Sequence, residues 1–393
     1  MKTHRLISLI AISFLFLWQA SAMAANSLAI IPDPPTLPAK AHVLMDFNSG
    51  KILSSQNMDE HLEPASLTKL MLMYVVNKEL QAGNIKLTDV VRISENAWKA
   101  EGSRMFIEVN KEVTVDELIH GVIIQSGNDA SIALAEHAAG TEQGFVDLMN
   151  SYAASLGMTN SHFGDVNGMP HDNHYTTAHD LAILTRAIIT EFPPEIYAIH
   201  AQKWFTYNGI KQPNRNRLLW SDPSVDGLKT GHTEGAGYCL VASSVKNNMR
   251  LISVLLGAES DNSRAEQSQR LLSYGFRFFE THKLYAAGDT LNQARLWMGQ
   301  VSSLPLGVKQ DIYVTIPQGQ YKNLQASLNV DKVIKAPVSQ GQNLGKLEVK
   351  LGDALVVDTP LVALSDSPKG GIWRRFSDYV SMRASQLIGS SST

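Results

Sequence analysis

"EPASLTKLM", Glu63 to Met71, sets a serine three residues before a lysine, and Leu70, Met71, Leu72 and Met73 follow that lysine at once. Apolar residues at Leu67, Leu70, Met71, Tyr74 and Val75 recur at helical spacing, and Gly83 supplies a stop, so the stretch predicts a helix over 66–81. The i,i+3 spacing puts Ser66 and Lys69 on one face. Flanked by Leu70 and Met73, the amine is placed to lose hydration, which lowers its pKa and lets the neutral form take a proton from the serine. The first turn also leaves backbone N–H groups free beside the positive end of the helix, where developing negative charge is stabilised. Alone the pair is weak evidence. A serine and a lysine at this spacing arise by chance roughly once in a chain of this length, and a helix-start serine before a snorkelling lysine is the ordinary explanation.

Two more stretches share the character of the first. In "LIHGVIIQSGNDASIAL" an apolar helical run that opens near Thr114 breaks at Ser126-Gly127-Asn128 and then resumes. Such polar groups either cap the break themselves or face a cleft. Lys229-Thr230-Gly231-His232 opens a strand-like run. A hydroxyl, a backbone N–H and the close approach that glycine permits suit a carboxylate-bearing chain laid along a strand edge, and Lys229 adds positive charge.

Outward from these stretches, "AHVLMDFNSGKILSSQN" reads as two strands around Asn48-Ser49-Gly50. "GMTNSHFGDVNGMPHDNHYTT" reads as loop, and Thr177 with Asp180 reads as the N-cap of the next helix. "SVDGLKTGHTEGAGYCLVASSV" and "MRLISVLLGA" read as a strand pair with a turn at Lys246-Asn247-Asn248, followed by the helix "RAEQSQRLLSYGFRFFE". The order predicts a mixed α/β fold with a central antiparallel sheet and helices against it. "DFNSGK" supplies no dinucleotide-binding fingerprint.

Past His282 the chain turns to short alternating runs, which predicts a small β-rich domain over 283–368. A terminal segment, 370–389, is helical again, with Ile372, Trp373, Phe376, Tyr379, Val380, Ala384, Leu387 and Ile388 on one stripe and Arg374, Arg375 and Arg383 mostly off it. That pattern fits a helix lying in the surface of an anionic membrane, against the simpler reading of a helix docked on its own protein.

At the other end, Lys2, His4 and Arg5 precede the apolar run Leu6 to Trp18, and Ala22-Met23-Ala24 follows. That is a signal peptide over 1–24, ahead of a catalytic domain over 25–282. With no long apolar segment elsewhere, the expected location is peripheral, on the periplasmic face of the cell inner membrane. The single cysteine, Cys239, allows no internal disulfide and reads as a small buried side chain. A net charge of −3 over 393 residues gives no field for nucleic acid.

Ser-x-x-Lys, Ser-x-Asn and Lys-Thr-Gly stand here in one order at domain-scale gaps, the triple of β-lactamases and penicillin-binding proteins. With "PASLTKLM", "IIQSGNDA", "PNRNRLLW", "VDGLKTGHT" and "FRFFE", the chain closely resembles the low-molecular-mass penicillin-binding proteins that are D-alanyl-D-alanine carboxypeptidases. The likeness spans nearly the whole mature chain, including the small β domain and a C-terminal amphipathic anchor. It implies a β-lactamase/transpeptidase-like catalytic domain in which Ser66 is the nucleophile and Lys69 its general base. Ser126 would relay protons between Lys69, Lys229 and the leaving amine. Asn128 would bond the substrate amide and position Lys69. Lys229 and Thr230 would hold the terminal carboxylate with support from Arg264, and the backbone N–H groups of Ser66 and His232 would form the oxyanion hole. The middle motif carries glycine, Gly127, where lactamases usually carry aspartate, as the resembled family does. Implied partners are peptidoglycan stem peptides and β-lactams as covalent inhibitors, with no cofactor and no metal.

Arg215 and Arg217 stay open between solvated faces, internal salt bridges and site lining. His171, His174 and His179, with Asp165, Asp172 and Asp180 nearby, match no metal spacing and read as surface histidines. Three rivals bear on function. A class A β-lactamase needs a glutamate on the loop 159–176, which has none. An endopeptidase would need a more open cleft, which "NAWKAEGSRMF" could roof or leave clear. A murein-binding protein without chemistry would be free to lose Ser66, Lys69 or Lys229, and all three are present.

Overall fold

A computed structural model describes the backbone of residues 31–389 and the side chains of 31–382. The signal peptide expected over 1–24, and the side chains of Arg383, Ala384, Leu387 and Ile388, lie outside the described residues.

The first hairpin joins β1 (Ala41–Asp46) to β2 (Ile52–Gln56). Its turn is held by the Asp46 carboxylate, which accepts from the Ser49 N–H and hydroxyl. Ser66 sits in a tight 3-10 turn, Ala65–Leu67, that feeds α1 (Thr68–Ala82), and Gly83 ends α1 in the left-handed conformation. Every side chain from Thr68 to Asn77 is buried. A helix apolar all round belongs inside, and α1 is the axle of the domain. A minor hairpin, β3 (Val90–Arg92) with β4 (Glu112–Thr114), leads to a capping box in which Thr114 and Glu117 bond reciprocally. The helix Val115–His120 widens into a π-helical turn over Gly121–Gln125 that stops at Ser126, left-handed at φ 64°. The chain then resumes as α2 (Asn128–Ala139) and α3 (Glu142–Ser155), and α4 (Ala178–Glu191) follows with Thr177 capping Asp180 N–H.

A second small hairpin, β5 (Trp204–Tyr207) with β6 (Ile210–Pro213), precedes the main sheet. The expected strand pair is in fact three strands, β7 (Val225–Thr233), β8 (Gly237–Lys246) and β9 (Met249–Ala258). "TEGAG" was the missed turn, short enough to look like a continuation of the apolar run. Asn247 and Asn248, with φ of 50° and 63°, close the β8–β9 hairpin where the turn was expected.

The antiparallel sheet runs β2-β1-β9-β8-β7, so β7 is an edge. Alternation assigns the faces. Val43, Met45, Ile252, Val254 and Leu256 pack toward α1, whereas Leu44, Leu251 and Leu255 pack toward Leu271 and Leu272 of α5 (Asp261–Phe278). Buried on both sides, these strands read as unbroken apolar runs. Cys239 is fully buried in β8, and burial pushes its thiol up to about 11, as expected of an inert core residue.

From α5 the chain passes into a small β domain. Strand Phe279–Tyr285 pairs with Ile312–Pro317, beside a six-stranded sheet. Asp46 ties the two domains together by accepting from Thr281 at 2.7 Å, and Ser49 meets Thr315 at 2.6 Å. The terminal helix α6 (Ile372–Gly389) docks through Asp378, which accepts from Met298 N–H at 2.7 Å, and through buried Met382. Its other face turns outward, with Ile372 81% and Trp373 86% exposed and Phe376 exposed beside them. No described helix is long and apolar enough to cross a membrane.

Candidate active site

The site forms where the start of α1, the Ser126 turn and the edge strand β7 converge. Ala65, just before Ser66, is left-handed at φ 47°, a conformation that costs a side-chain-bearing residue about 1–2 kcal/mol. Strand β7 presses on this turn. A Cβ on Gly231 would lie 3.1 Å from Pro64 O and 3.2 Å from Ala65 Cβ, so the glycine of Lys-Thr-Gly is needed for close approach.

Lys69 is 0% exposed. Its Nζ donates to Ser66 Oγ at 3.2 Å, to Asn128 Oδ1 at 2.7 Å and to the Asn167 carbonyl at 2.7 Å. Burial brings its pKa down to about 7, with the Arg215 charge acting in the same direction, while Asp165 and Asp129 pull it up. Such an amine is neutral often enough at neutral pH to serve as a base.

Lys229, also buried, donates to Ser126 Oγ at 2.9 Å and to the Thr230 carbonyl at 3.1 Å. Burial holds its pKa well below the ordinary value, and the charges of Lys69, Arg215 and Arg264 add to that.

Gly127 fixes the second wall. A Cβ there would lie 2.8 Å from Asp129 Oδ1 and 3.0 Å from Met105 N. An aspartate at this position has no room, which is the physical content of the glycine. Asp129, fully buried, accepts from the N–H groups of Met105, Phe106 and Ile107, so the segment after Trp98 folds against the site. Asn128 completes the join, with Nδ2 donating to the Glu101 carbonyl at 2.6 Å.

These elements enclose a cleft of about 840 Å³, lined by Ser66, Ser126, Thr230, His232 and Arg264 among others. Lys69, Asn128 and Lys229 stand behind that lining. Arg264 donates to the Gly231 carbonyl at 3.1 Å, pairs with the Asp261 carboxylate and lies 5.5 Å from the Tyr238 ring. His232 is exposed, and its ring lies tilted at 32° against Tyr238 with centroids 4.0 Å apart. As the edge of the sheet, β7 has backbone groups free of a ladder partner on its outer side. All eight sequence-derived site residues therefore meet in one place.

Residues 29–260 match the family described as D-alanyl-D-alanine carboxypeptidase, and residues 279–369 match the C-terminal domain of penicillin-binding protein 5. The chain belongs to this carboxypeptidase family, the low-molecular-mass penicillin-binding proteins.

Among its relatives, D-alanyl-D-alanine carboxypeptidase DacC of Escherichia coli is 45% identical, with 96% of each chain covered. The solved penicillin binding protein 5 from Haemophilus influenzae is 43% identical with a TM-score of 0.83, covering 86% of this chain and 100% of that one. Penicillin-binding protein D2 from Listeria monocytogenes, solved in an ampicillin-bound form, is 27% identical with a TM-score of 0.57, covering 62% of this chain and 100% of that one. The family is one of serine peptidases, and this penicillin-binding protein is a serine hydrolase.

Sequence reasoning missed several groups around the site of this penicillin-binding protein. The Asn167 carbonyl that receives Lys69 is backbone, so its residue type carries no signal. Asp165 shapes that loop by accepting from the N–H groups of Asn167, Gly168 and Met169. Asp129 had a signal, its place inside "SGND". Asp261 holds Arg264 and Arg217 together, and both Arg215 and Arg217 line the cleft. The expectation of surface histidines fails for His174. It is buried, bonded through Nε2 to Thr68 Oγ1 at 2.8 Å and placed 3.8 Å from Asp165, and burial lowers its pKa to about 4. The polar loop hid it because the side chain turns back onto α1. His171, exposed, and His179, bonded to Asp59, point elsewhere. Among the described residues no cluster of three His, Cys, Asp or Glu is placed to hold a metal ion.

Proposed function

We propose that the chain removes the terminal D-alanine from peptidoglycan pentapeptide stems through an acyl-enzyme on Ser66. The observation that carries this reading is the buried Lys69 amine, lowered to about 7 and 3.2 Å from the Ser66 hydroxyl. Neutral Lys69 takes the Ser66 proton as Oγ attacks the carbonyl between the two D-alanines. The backbone N–H groups of Ser66 and His232 stabilise the oxyanion, where one donor is worth about 3–4 kcal/mol. Lys229, Thr230 and Arg264 receive the terminal carboxylate. As the C–N bond breaks, the proton passes from Lys69 through Ser126 to the departing amine, and Asn128 keeps Lys69 in line. Lys69, neutral again, activates the water that frees the shortened stem.

Assaying free D-alanine from a diacetyl-lysyl-D-alanyl-D-alanine peptide tests the proposal. Wild type releases it and Ser66→Ala does not; equal release by both removes the reading. Ampicillin stands bound in the Listeria relative. Here a penicillin acylates Ser66 and leaves slowly, since the loop 159–176 has no glutamate to drive deacylation.

The division of the chain follows the same reading. Residues 1–24 export it, 25–282 catalyse, 283–368 form the small β domain, and 370–389 anchor it peripherally on the periplasmic face of the inner membrane. The outward Ile372, Trp373 and Phe376 of α6, with Arg374 and Arg375 beside them, support the anchor.

A further inference from the structure

Between Glu195 and Asp222 the chain carries Lys203, Lys211, Arg215 and Arg217 and no carboxylate, on a protein of net charge −3. This cationic segment runs along one rim of the cleft, where Pro213, Arg215, Arg217 and Trp220 line it. Asn216 Nδ2 donates to the Gly227 carbonyl at 3.0 Å, tying the segment to the beginning of β7. Gln212 Nε2 donates to the Arg104 carbonyl at 3.1 Å, tying the β5–β6 hairpin to the facing wall.

Outside the cleft the surface continues as an aromatic step. Trp220 meets Trp204 edge to face, with centroids 6.1 Å apart at 88°, and the two are 43% and 47% exposed. Lys211 Nζ stands 4.8 Å from the Trp204 ring and Lys203 Nζ 6.0 Å from the Trp220 ring. Ile210 adds exposed apolar surface at the hairpin tip. Cation–π contacts hold these rings without covering them. Two wet tryptophans contiguous with a catalytic cleft and rimmed by charge make a recognition surface rather than scattered apolar exposure.

We propose that the Trp204–Trp220 step, with Lys203 and Lys211, docks the acidic glycopeptide polymer that carries the stem peptide. Three features select this occupant. An indole face accepts the apolar C–H face of a sugar ring. The ammonium groups accept carboxylates of neighbouring stems. The step runs unbroken into the cleft, so one polymer fills both while a stem peptide reaches Ser66. The inference rests on the carboxypeptidase reading and adds a second subsite to it.

The test compares wild type, Trp204→Ala and Lys211→Gln, each as the full chain, on the short diacetyl tripeptide and on purified, pentapeptide-rich murein sacculi. Release from the short peptide stays within about twofold of wild type, which also reports folding. On sacculi KM rises about fivefold or more, the scale of a lost aromatic contact. Pelleting with sacculi falls in parallel. Raising salt from about 0.05 to 0.5 M, which shortens the screening length about threefold, weakens wild-type pelleting and affects Lys211→Gln less. Equal pelleting and equal sacculus KM for all three proteins overturn the proposal, and a surface for another protein then takes its place. Pelleting needs no turnover, so a wild type that binds sacculi through the step yet releases no D-alanine would fault the chemistry alone.

Discussion

Lys229 Nζ stands 2.9 Å from Ser126 Oγ, a second lysine–serine pair in the cleft that holds the Lys69–Ser66 pair. Both amines are buried with lowered pKa values, and the Lys69 charge is one of the causes at Lys229, so neither amine holds a proton tightly. A proton taken from Ser66 thus has a reason to move on rather than stay on Lys69. Ser126→Ala would break the proposed relay and leaves Lys229 with the Thr230 carbonyl alone among these partners. The expected result is a kcat lower by about 10²- to 10⁴-fold with KM changed little. A loss confined to KM in steady-state assays would place Ser126 in binding instead.

On the proposed mechanism the pH profile follows from Lys69, which would act as base only when unprotonated. With its pKa lowered to about 7, kcat/KM falls tenfold per unit as pH drops below about 7 and levels above it. Stability moves the same way. The folded pKa lies below the ordinary 10.5, so between about 7 and 10.5 the unfolded chain binds more protons and unfolding free energy rises with pH. Lys69→Met flattens that rise by up to about 1.4 kcal/mol per pH unit. A rate profile flat from about pH 5 to 9 would dismiss Lys69 as the base.

Asp165 touches neither serine, yet it holds the loop whose Asn167 carbonyl meets Lys69 at 2.7 Å. It also raises the Lys69 pKa. Asp165→Asn weakens both effects, so the acid limb of kcat/KM moves to lower pH while kcat falls about tenfold to a hundredfold. A purely structural role would lower activity without moving the limb. Measuring the limb therefore separates positioning from folding.

Gly127 explains why the middle motif departs from the lactamase pattern. Gly127→Ala drives a methyl group toward Met105 N and Asp129 Oδ1, at 3.0 and 2.8 Å. The expected cost is about 1–3 kcal/mol, seen as a lowered urea midpoint, together with reduced acylation because Ser126 and Asn128 flank the disturbed turn. An unchanged midpoint would mean that the Met105 segment yields freely.

How much of this was legible follows from what sequence encodes. Ser66 and Lys69 announce themselves through helix periodicity, and β9 stands out as an unbroken apolar run because both faces of that strand are buried. The third strand was not visible, since a turn like "TEGAG" interrupts an apolar run too briefly to register. The site was legible where side chains carry the chemistry and illegible where backbone does, as at Asn167. His174 was misjudged because polar neighbours signal a loop, not where a ring within it points. Arg215 and Arg217 became interpretable only once the fold laid them on the cleft rim.

The terminal helix offers the cleanest separation of two readings. Docking uses Asp378 and Met382, whereas membrane binding would use the opposite face, where Trp373 and Phe376 are exposed. Because the two faces are distinct, they can be changed independently. Deleting residues from Gly370 onward moves the protein to the soluble fraction with carboxypeptidase activity retained. Trp373→Glu combined with Phe376→Glu leaves Asp378 on Met298 N–H but charges the outward face, and it should release the protein just as fully. Each charge set at the lipid boundary opposes insertion, and the apolar area of the two lost rings is forfeited at about 25 cal/mol per Å². If the double variant still sediments with membranes while the truncation does not, the docked face holds the protein there and the apolar stripe does not anchor it.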